Sequence, residues 1–303
     1  MTVGKNTLPI RVIAEDGSEK IYNINITRKA GASSLKNEIM KNTVITANPT
    51  LTTSSNNTSD ESGLYKSTAT NTGEPTYYFR GNVTNNYVSF AGFTWRIVRV
   101  NEDGTIRIVM QDGINNNTDY KFSPNYNNYR YMYYTNSEAK TQLESWYQTN
   151  IGSKKDLASS VASGAYYCEQ AKAKYPDSAT SGNATMTTYN KYTPDFKCSS
   201  DGNNKGVVNA SVGLLSYDEV VYAGGYYAQK NSNYYLYNNT YFWTMSPVGF
   251  SGSSSDVWYV NVTGFIGGNY VNNPIAVRPV LILTADTQIS SGDGTINSPF
   301  VVE

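Results

Sequence analysis

Chemistry in a protein starts from groups that move protons, attack carbon or ligate metals, and this 303-residue sequence is poor in them. It has no histidine. That removes Ser-His-Asp triads, Cys-His dyads and His-ligated zinc or iron centres. The only cysteines, Cys168 and Cys198, stand thirty positions apart in a loop-rich stretch. In an exported protein they would pair, closing a loop worth roughly 3 to 4 kcal/mol; the alternative is two separate buried thiols. The acidic stretches Glu102-Asp103-Gly104 and Ser291-Gly292-Asp293-Gly294 lack the alternating carboxylates of a calcium loop and read as turns. No metal, cofactor or catalytic residue is expected. Arg278 lies in an apolar strand, where a buried guanidinium needs a carboxylate or several carbonyls. It reads as structural, with Asp218 or Glu219 as its candidate partner.

The chemistry the chain does carry is that of contact. Lys+Arg and Asp+Glu are 24 each and charged residues are 16% of the chain, so there is no basic field for nucleic acid. Tyrosine, at 27 against 9 Phe, and 35 Asn take the place of charge. Tyrosine gives a large rigid contact area with a polar tip, and recognition loops combine it with Ser, Gly and Asn. An AT-rich genome explains part of this bias. The signal concentrates between Tyr226 and Ile275, which hold eight Tyr, eight Asn and six Ser. The candidate ligand-facing residues are Tyr234, Tyr235, Tyr237, Phe250, Ser253, Tyr259, Asn261, Phe265, Asn269, Tyr270, Asn272 and Asn273. Strand alternation divides residues 256–263 into two faces, and predicts Tyr259 and Asn261 outward and Trp258 inward. Rings supply area and amides paired hydrogen bonds, a combination suited to a glycan or protein surface.

Several elements must position these residues. Thr7 to Arg28 alternates apolar and polar residues on both sides of Glu15-Asp16-Gly17-Ser18, the pattern of a β-hairpin. SSLKNEIMK predicts a short helix capped by Ser33 or Ser34, with Leu35, Ile39 and Met40 on one face. LTTSSNNTSDESG then reads as a linker. Phe93 to Met110 is a second hairpin, turning at Glu102-Asp103-Gly104. Ser137 to Tyr147 has helical spacing at Ala139, Leu143 and Trp146, and a further helix is expected from Leu157 through Ala173. After Cys198 the chain reads as short strands and long loops: GVVNASVGLLSYDEVVYAGG, YYLYNNTYFWTMSP, DVWYVNVTGFIGG, AVRPVLILT, and a closing strand at Ser298 to Val302. No apolar run approaches a membrane helix, and MTVGKNTLPI lacks the core of a signal peptide. Any export signal and anchor are therefore expected to lie outside this sequence.

Two stretches carry a resemblance. Tyr22, Ile24, Ile26 and Arg28 match the Tyr-x-Ile-x-Ile-x-Arg ending of cadherin-like β-sandwich repeats of bacterial surface proteins. Residues 1–29 thus resemble the last strands of such a repeat, a stalk. Further on, Tyr77 to Asn82, Phe93 to Ile97, Gly213 to Glu219, Phe242 to Pro247 and Val277 to Val280 follow the ordered landmarks of a family of exported proteins of gut Firmicutes. These resemble the C-type-lectin-like fold, shared by the formylglycine-generating enzyme and by the variable proteins of diversity-generating retroelements.

The resemblance implies an α+β, C-type-lectin-like ligand-binding domain over residues 63–303, preceded by a helix and linker over 30–62. It implies a diversified binding face late in the chain, between fixed strands. Adenine replacement turns Asn codons into Tyr, Ser, Asp, Thr, Gly, Ile, Val or Phe codons, the vocabulary seen at 226–275. The expected function is non-catalytic recognition or adhesion at the bacterial surface, toward a protein or glycan on host or other cells, with membrane contact only through an anchor outside the sequence. The alternatives are a pilus or shaft subunit and a formylglycine-generating-type catalyst. That catalyst needs reactive cysteines close together on active-site strands, whereas Cys168 and Cys198 read as part of a loop-like insertion.

Overall fold

The strongest alternation in the sequence becomes the middle of the larger β-sheet. In the computed structural model, which describes residues 4–28, 33–51, 61–169, 194–198, 206–250 and 253–302, Phe93–Val100 pairs antiparallel with Ile106–Met110. The turn between them uses Gly104 at φ 87°, a left-handed conformation that favours glycine. Asp103 caps that turn by accepting from the Thr105 amide at 2.9 Å. Asp293 does the same for Thr295 at 3.0 Å. Both acidic stretches are therefore turns, as their residues suggest.

Around this hairpin the larger sheet runs, edge to edge, through Ser33–Ser34, Gln288–Ser291, Phe300–Val302, Tyr87–Phe90, Phe93–Val100, Thr76–Arg80, Gly63–Ser67 and Val44–Ile45. Ile106–Met110 branches from Phe93–Val100 and carries Val280–Leu283. The smaller sheet has the order Asp119–Lys121, Pro274–Ala276, Phe242–Phe250, Ser255–Val260, Phe265–Tyr270 and Tyr226–Tyr227. Sheets and short helices share one large core, with Trp95, Leu143, Trp243 and Val260 fully buried. The class is α+β, mostly strand.

The predicted hairpin at the start forms: Gly4–Ile13 pairs with Glu19–Arg28 in a sheet of its own. Its ladder sets Leu8 opposite Ile24 and Ile10 opposite Tyr22, and all four side chains are exposed. The short helix is Leu35–Ile39, with Ser34 at its N-cap position but making no side-chain cap bond. Ser33 instead donates to Glu38 at 2.5 Å. Leu35 and Ile39 are fully buried in the main core. The strands on each side of this helix pair into the larger sheet, against Gln288 and Ile289 and against Leu64 and Tyr65. Among the described residues, Ser33–Ser34, Leu35–Ile39 and Val44–Ile45 thus pack into the same body as the larger sheet; most of the expected linker, 52–60, lies outside the described residues.

Helix Glu138–Tyr147 forms as its spacing predicts, with Ser137 accepting from the Lys140 amide at 3.0 Å. The helix expected over 157–173 does not. Only Lys155–Ser159 is helical, and Tyr166–Cys168 is a strand paired with Val207–Asn209. The helix ends at Ser159, Val161 bridges to Leu283, and Gly164 at φ 72° turns the chain before the aromatic pair. Residues 170–173 are outside the described set.

The stretch expected as strand beyond Val212 is a helix, Tyr217–Ala223, every residue of it buried. Buried on all sides, with Asp218 and Glu219 among its residues, it has no single apolar stripe. Its ends were nonetheless written in the sequence. Ser216 and Glu219 form a capping box, and Gly224 takes the left-handed C-cap position at φ 119°.

Cys168 and Cys198 are joined by a disulfide. It anchors a segment whose Phe196 stacks on Tyr222, ring centroids 4.1 Å apart, and sits under the Arg99 guanidinium at 4.7 Å. The Asp195 amide donates to Asp218 at 2.9 Å. Cys168→Ser with Cys198→Ser should lower unfolding free energy by roughly 3 to 4 kcal/mol, the chain-entropy value for a loop of this length. Urea melts of the oxidised protein and the double variant measure it, and a difference under ~1 kcal/mol would rule out this cross-link as a main stabiliser.

Candidate functional site

The segment 226–275 supplies most of the smaller sheet, but not all its aromatics reach solvent. In the Ser255–Val260 strand, Trp258 turns inward, its ring 4.7 Å from Tyr217 of the buried helix, as alternation predicts. Tyr259 lies on the other face and is half-buried. Its ring stacks parallel to that of Tyr241 at 6.2 Å and meets the edge of Trp243 at 6.4 Å. Burial, then the neighbouring Tyr241, raise the Tyr259 phenol pKa above its ordinary value.

Across the strand pair, Tyr259 faces Gly267. A Cβ at 267 would lie 2.5 Å from the Phe265 ring and 3.3 Å from that of Tyr259. Gly267 is thus the gap that lets two rings share one face. Tyr241 and Tyr259 stack, and Phe265 follows across Gly267 as the third ring of an aromatic strip; the Tyr237 hydroxyl donates to the Val262 carbonyl at 3.1 Å. Further along the strand the chemistry changes to amides. Asn273 donates to Asn269 at 2.7 Å. Tyr270 is 53% exposed, Asn272 is half-buried and Ser253 is exposed at the hairpin tip. From Phe265 to Tyr270 the strand covers about 16 Å, at roughly 3.3 Å per residue.

Four of the expected residues do other work. Tyr234, Tyr235 and Phe250 are core residues, 2%, 2% and 0% exposed, and cannot offer their rings to a ligand. Burial raises both tyrosine pKa values far above normal. Tyr235 is fixed by the backbone: its amide donates to Gly81 at 2.9 Å and its ring lies 5.3 Å from the Arg96 guanidinium. Residues 228–240 form no regular strand, so alternation had no hold on them. Asn261 points into its own turn, accepting from the Thr263 amide, the Thr263 hydroxyl and the Phe265 amide at 2.8, 2.8 and 3.1 Å. It shapes the hairpin and has little left for a ligand. Tyr241, not among the expected ligand-facing residues, belongs to the face through its stacking on Tyr259.

Arg278 does not pair with Asp218 or Glu219. It donates to the carbonyls of Met110 at 3.1 Å and Leu236 at 2.6 Å and covers the Phe242 ring at 4.6 Å. Burial is the main cause that lowers its pKa to about 10. Glu219 instead pairs with Arg107 at 2.6 Å and Arg99 at 3.5 Å. Among the described residues, no three His, Cys, Asp or Glu side chains converge on a point where a metal could sit.

A family model matches residues 108–285, from the second strand of the central hairpin to the strand that pairs with it. The chain belongs to the family described as Domain of unknown function (DUF6273). The DUF6273 span contains the buried helix, the whole smaller sheet and every residue of the candidate face. No curated protein and no solved structure matches the chain.

Beside this DUF6273 face, Asp256 sits opposite Tyr270 in the strand register. One of its oxygens is buried without a hydrogen-bond partner, and desolvation raises its pKa to about 6. An acid with a raised folded-state pKa binds its proton more tightly in the native than in the unfolded chain. Its contribution therefore favours folding at low pH and is lost as pH rises from about 4 to about 6. Asp256→Asn should remove that slope and raise the melting temperature at pH 7. Thermal melts across pH 4 to 7 check it; parallel profiles for the two proteins would refute the assignment.

Proposed function

We propose that this DUF6273 chain is a non-catalytic recognition module of the bacterial cell surface, binding a protein or glycan through the Tyr241–Tyr259–Phe265 strip and the amides beside it. The observation that carries the reading is the strip itself: stacked, partly exposed rings on a rigid sheet, made possible by Gly267. Rigid aromatic anchors flanked by adaptable amides are the composition of binding surfaces. The disulfide favours an oxidising compartment, hence an extracellular location.

Within this reading the domain is C-type-lectin-like and its late face is diversified by a retroelement, as the landmark resemblance implies. The separation of buried from exposed positions sharpens the consequence. Substitutions among isolates of one strain should gather at adenine-containing codons of Tyr237, Tyr259, Asn269, Tyr270, Asn272 and Asn273. They should spare Tyr234, Tyr235, Phe250 and Asn261. Sequencing the locus from many isolates decides it: even variation along the chain, or variation at the buried tyrosines, sinks the diversified-face reading.

The exposed Leu8, Ile10, Tyr22 and Ile24 ladder favours a second reading for the N-terminal hairpin. It belongs to a stalk, or serves as an assembly contact of a shaft subunit. Sedimentation velocity over a range of concentrations separates the two. Concentration-dependent association abolished by Ile10→Lys supports the shaft subunit, and a constant monomer supports the recognition module.

A further inference from the structure

A groove of about 570 Å³ is lined by residues outside the strip, among them Phe93, Asn116 and Trp146. The two are physically linked. Asn115 donates to the Tyr120 hydroxyl at 2.7 Å, and the Tyr120 carbonyl accepts from the Trp243 indole at 3.1 Å, the same indole that meets Tyr259.

Two aromatic rings line it, Phe93 and Trp146, their centroids 5.2 Å apart and tilted by 56°. One wall is the turn Ile114–Asn117, in which Asn115, Asn116 and Asn117 have φ of 51°, 59° and 61°. Three successive non-glycine residues in the left-handed region are unfavourable, and asparagine is the side chain that tolerates it best. The turn is held by bonds that aim the amides. Asn117 accepts from the Gly113 amide at 2.5 Å, and Thr118 donates to the Asn115 carbonyl at 2.6 Å. Asn116 is exposed, with no partner among the described residues. Asn150, also lining the groove, donates to the Trp146 carbonyl at 2.8 Å, which leaves its side-chain oxygen free to accept. Asp112 and Thr94 add a carboxylate and a hydroxyl, both exposed.

Strain of this kind persists where surrounding structure enforces it, and it clusters at ligand sites. The lining suggests which ligand. No Lys or Arg lines the groove and one carboxylate does, which disfavours phosphates, carboxylates and nucleic acid. Four asparagine amides and the Thr94 hydroxyl along the rim disfavour a wholly apolar guest. A guest with one C–H-rich face and several hydroxyls fits both parts: the partly exposed Phe93 ring takes the face, with the largely buried Trp146 packed behind it, while the amides of Asn116 and Asn150 offer donors and acceptors to neighbouring hydroxyls.

We propose that this groove is a second binding site, for a neutral sugar, taken either as a free monosaccharide or as one unit of a glycan. It stands independently of the aromatic strip and of its diversification.

The test is titration of the full chain with neutral hexoses, N-acetylhexosamines and their di- and trisaccharides, followed by tryptophan fluorescence and calorimetry. Asp112→Ala and Asn116→Ala are exposed changes, and unchanged thermal melts would show that they fold; Tyr259→Ala serves as the control outside the groove. The proposal predicts saturable binding of at least one sugar. Binding should weaken at least about tenfold in each groove variant and hold in Tyr259→Ala. Sialylated or sulfated forms should bind more weakly than neutral ones. Binding of a monosaccharide identifies the free sugar as sufficient, and binding only of the larger sugars identifies a glycan unit; either supports the site. Failure of every sugar to saturate, preference for the acidic forms, or equal binding by the groove variants would overturn it.

Discussion

The rest of the structure depends on charged arginine side chains that are buried and held mainly by backbone carbonyls. Arg80 donates to Val221 and Tyr222 at the end of the buried helix and to Thr50 and the Tyr226 hydroxyl. Arg96 reaches Val83 at 2.7 Å and Tyr235 at 3.4 Å, and Arg278 reaches Met110 and Leu236. An irregular segment cannot satisfy its own carbonyls by a ladder, and a buried orphan carbonyl is costly. The five donors of a guanidinium, fixed in one plane, solve this where a strand or helix cannot. The carbonyls of Val221, Tyr222, Tyr235 and Leu236 are held this way. At the other end of the helix, Glu219 completes the capping box while pairing with Arg107 and Arg99.

This arrangement separates scaffold from face. The buried helix supports Trp258 from below, Trp258 and Tyr259 project from one strand to opposite sides, and Tyr259 with Tyr241 and Phe265 remains above. Residues that reach solvent bear on neither the guanidinium bonds nor the helix caps. A surface of that kind can change its contacts while the fold stays constant, and the groove beside Phe93 and Asn116 is built from different residues again.

Much of the scaffold was legible because its signals are local. Alternation marks Phe93 to Met110, spacing and a serine cap mark Glu138 to Tyr147, and the two cysteines pair. Periodicity is silent for the buried helix because every side of it is covered, Asp218 and Glu219 included; the Ser216–Glu219 spacing and Gly224 carry the signal instead. The fates of Tyr234, Tyr235 and Phe250 were illegible, because composition reports which residue types a surface uses and not which copies are buried. Arg278 was read correctly as structural but given a carboxylate where two carbonyls serve. Asn115 to Asn117 escaped notice altogether, since left-handed geometry is set by the turn around Gly113 and not by any spacing of asparagines.

The separation of scaffold and face is tested most directly by replacing Tyr241, Asn269, Tyr270, Asn272 and Asn273 together with serine and measuring the thermal midpoint. Surface changes away from caps and buried networks are each worth within about 0.5 kcal/mol. The account therefore predicts one cooperative transition within several degrees of the parent. Loss of cooperativity, or a far larger drop, would mean that the face itself holds the sheet together and would contradict the account.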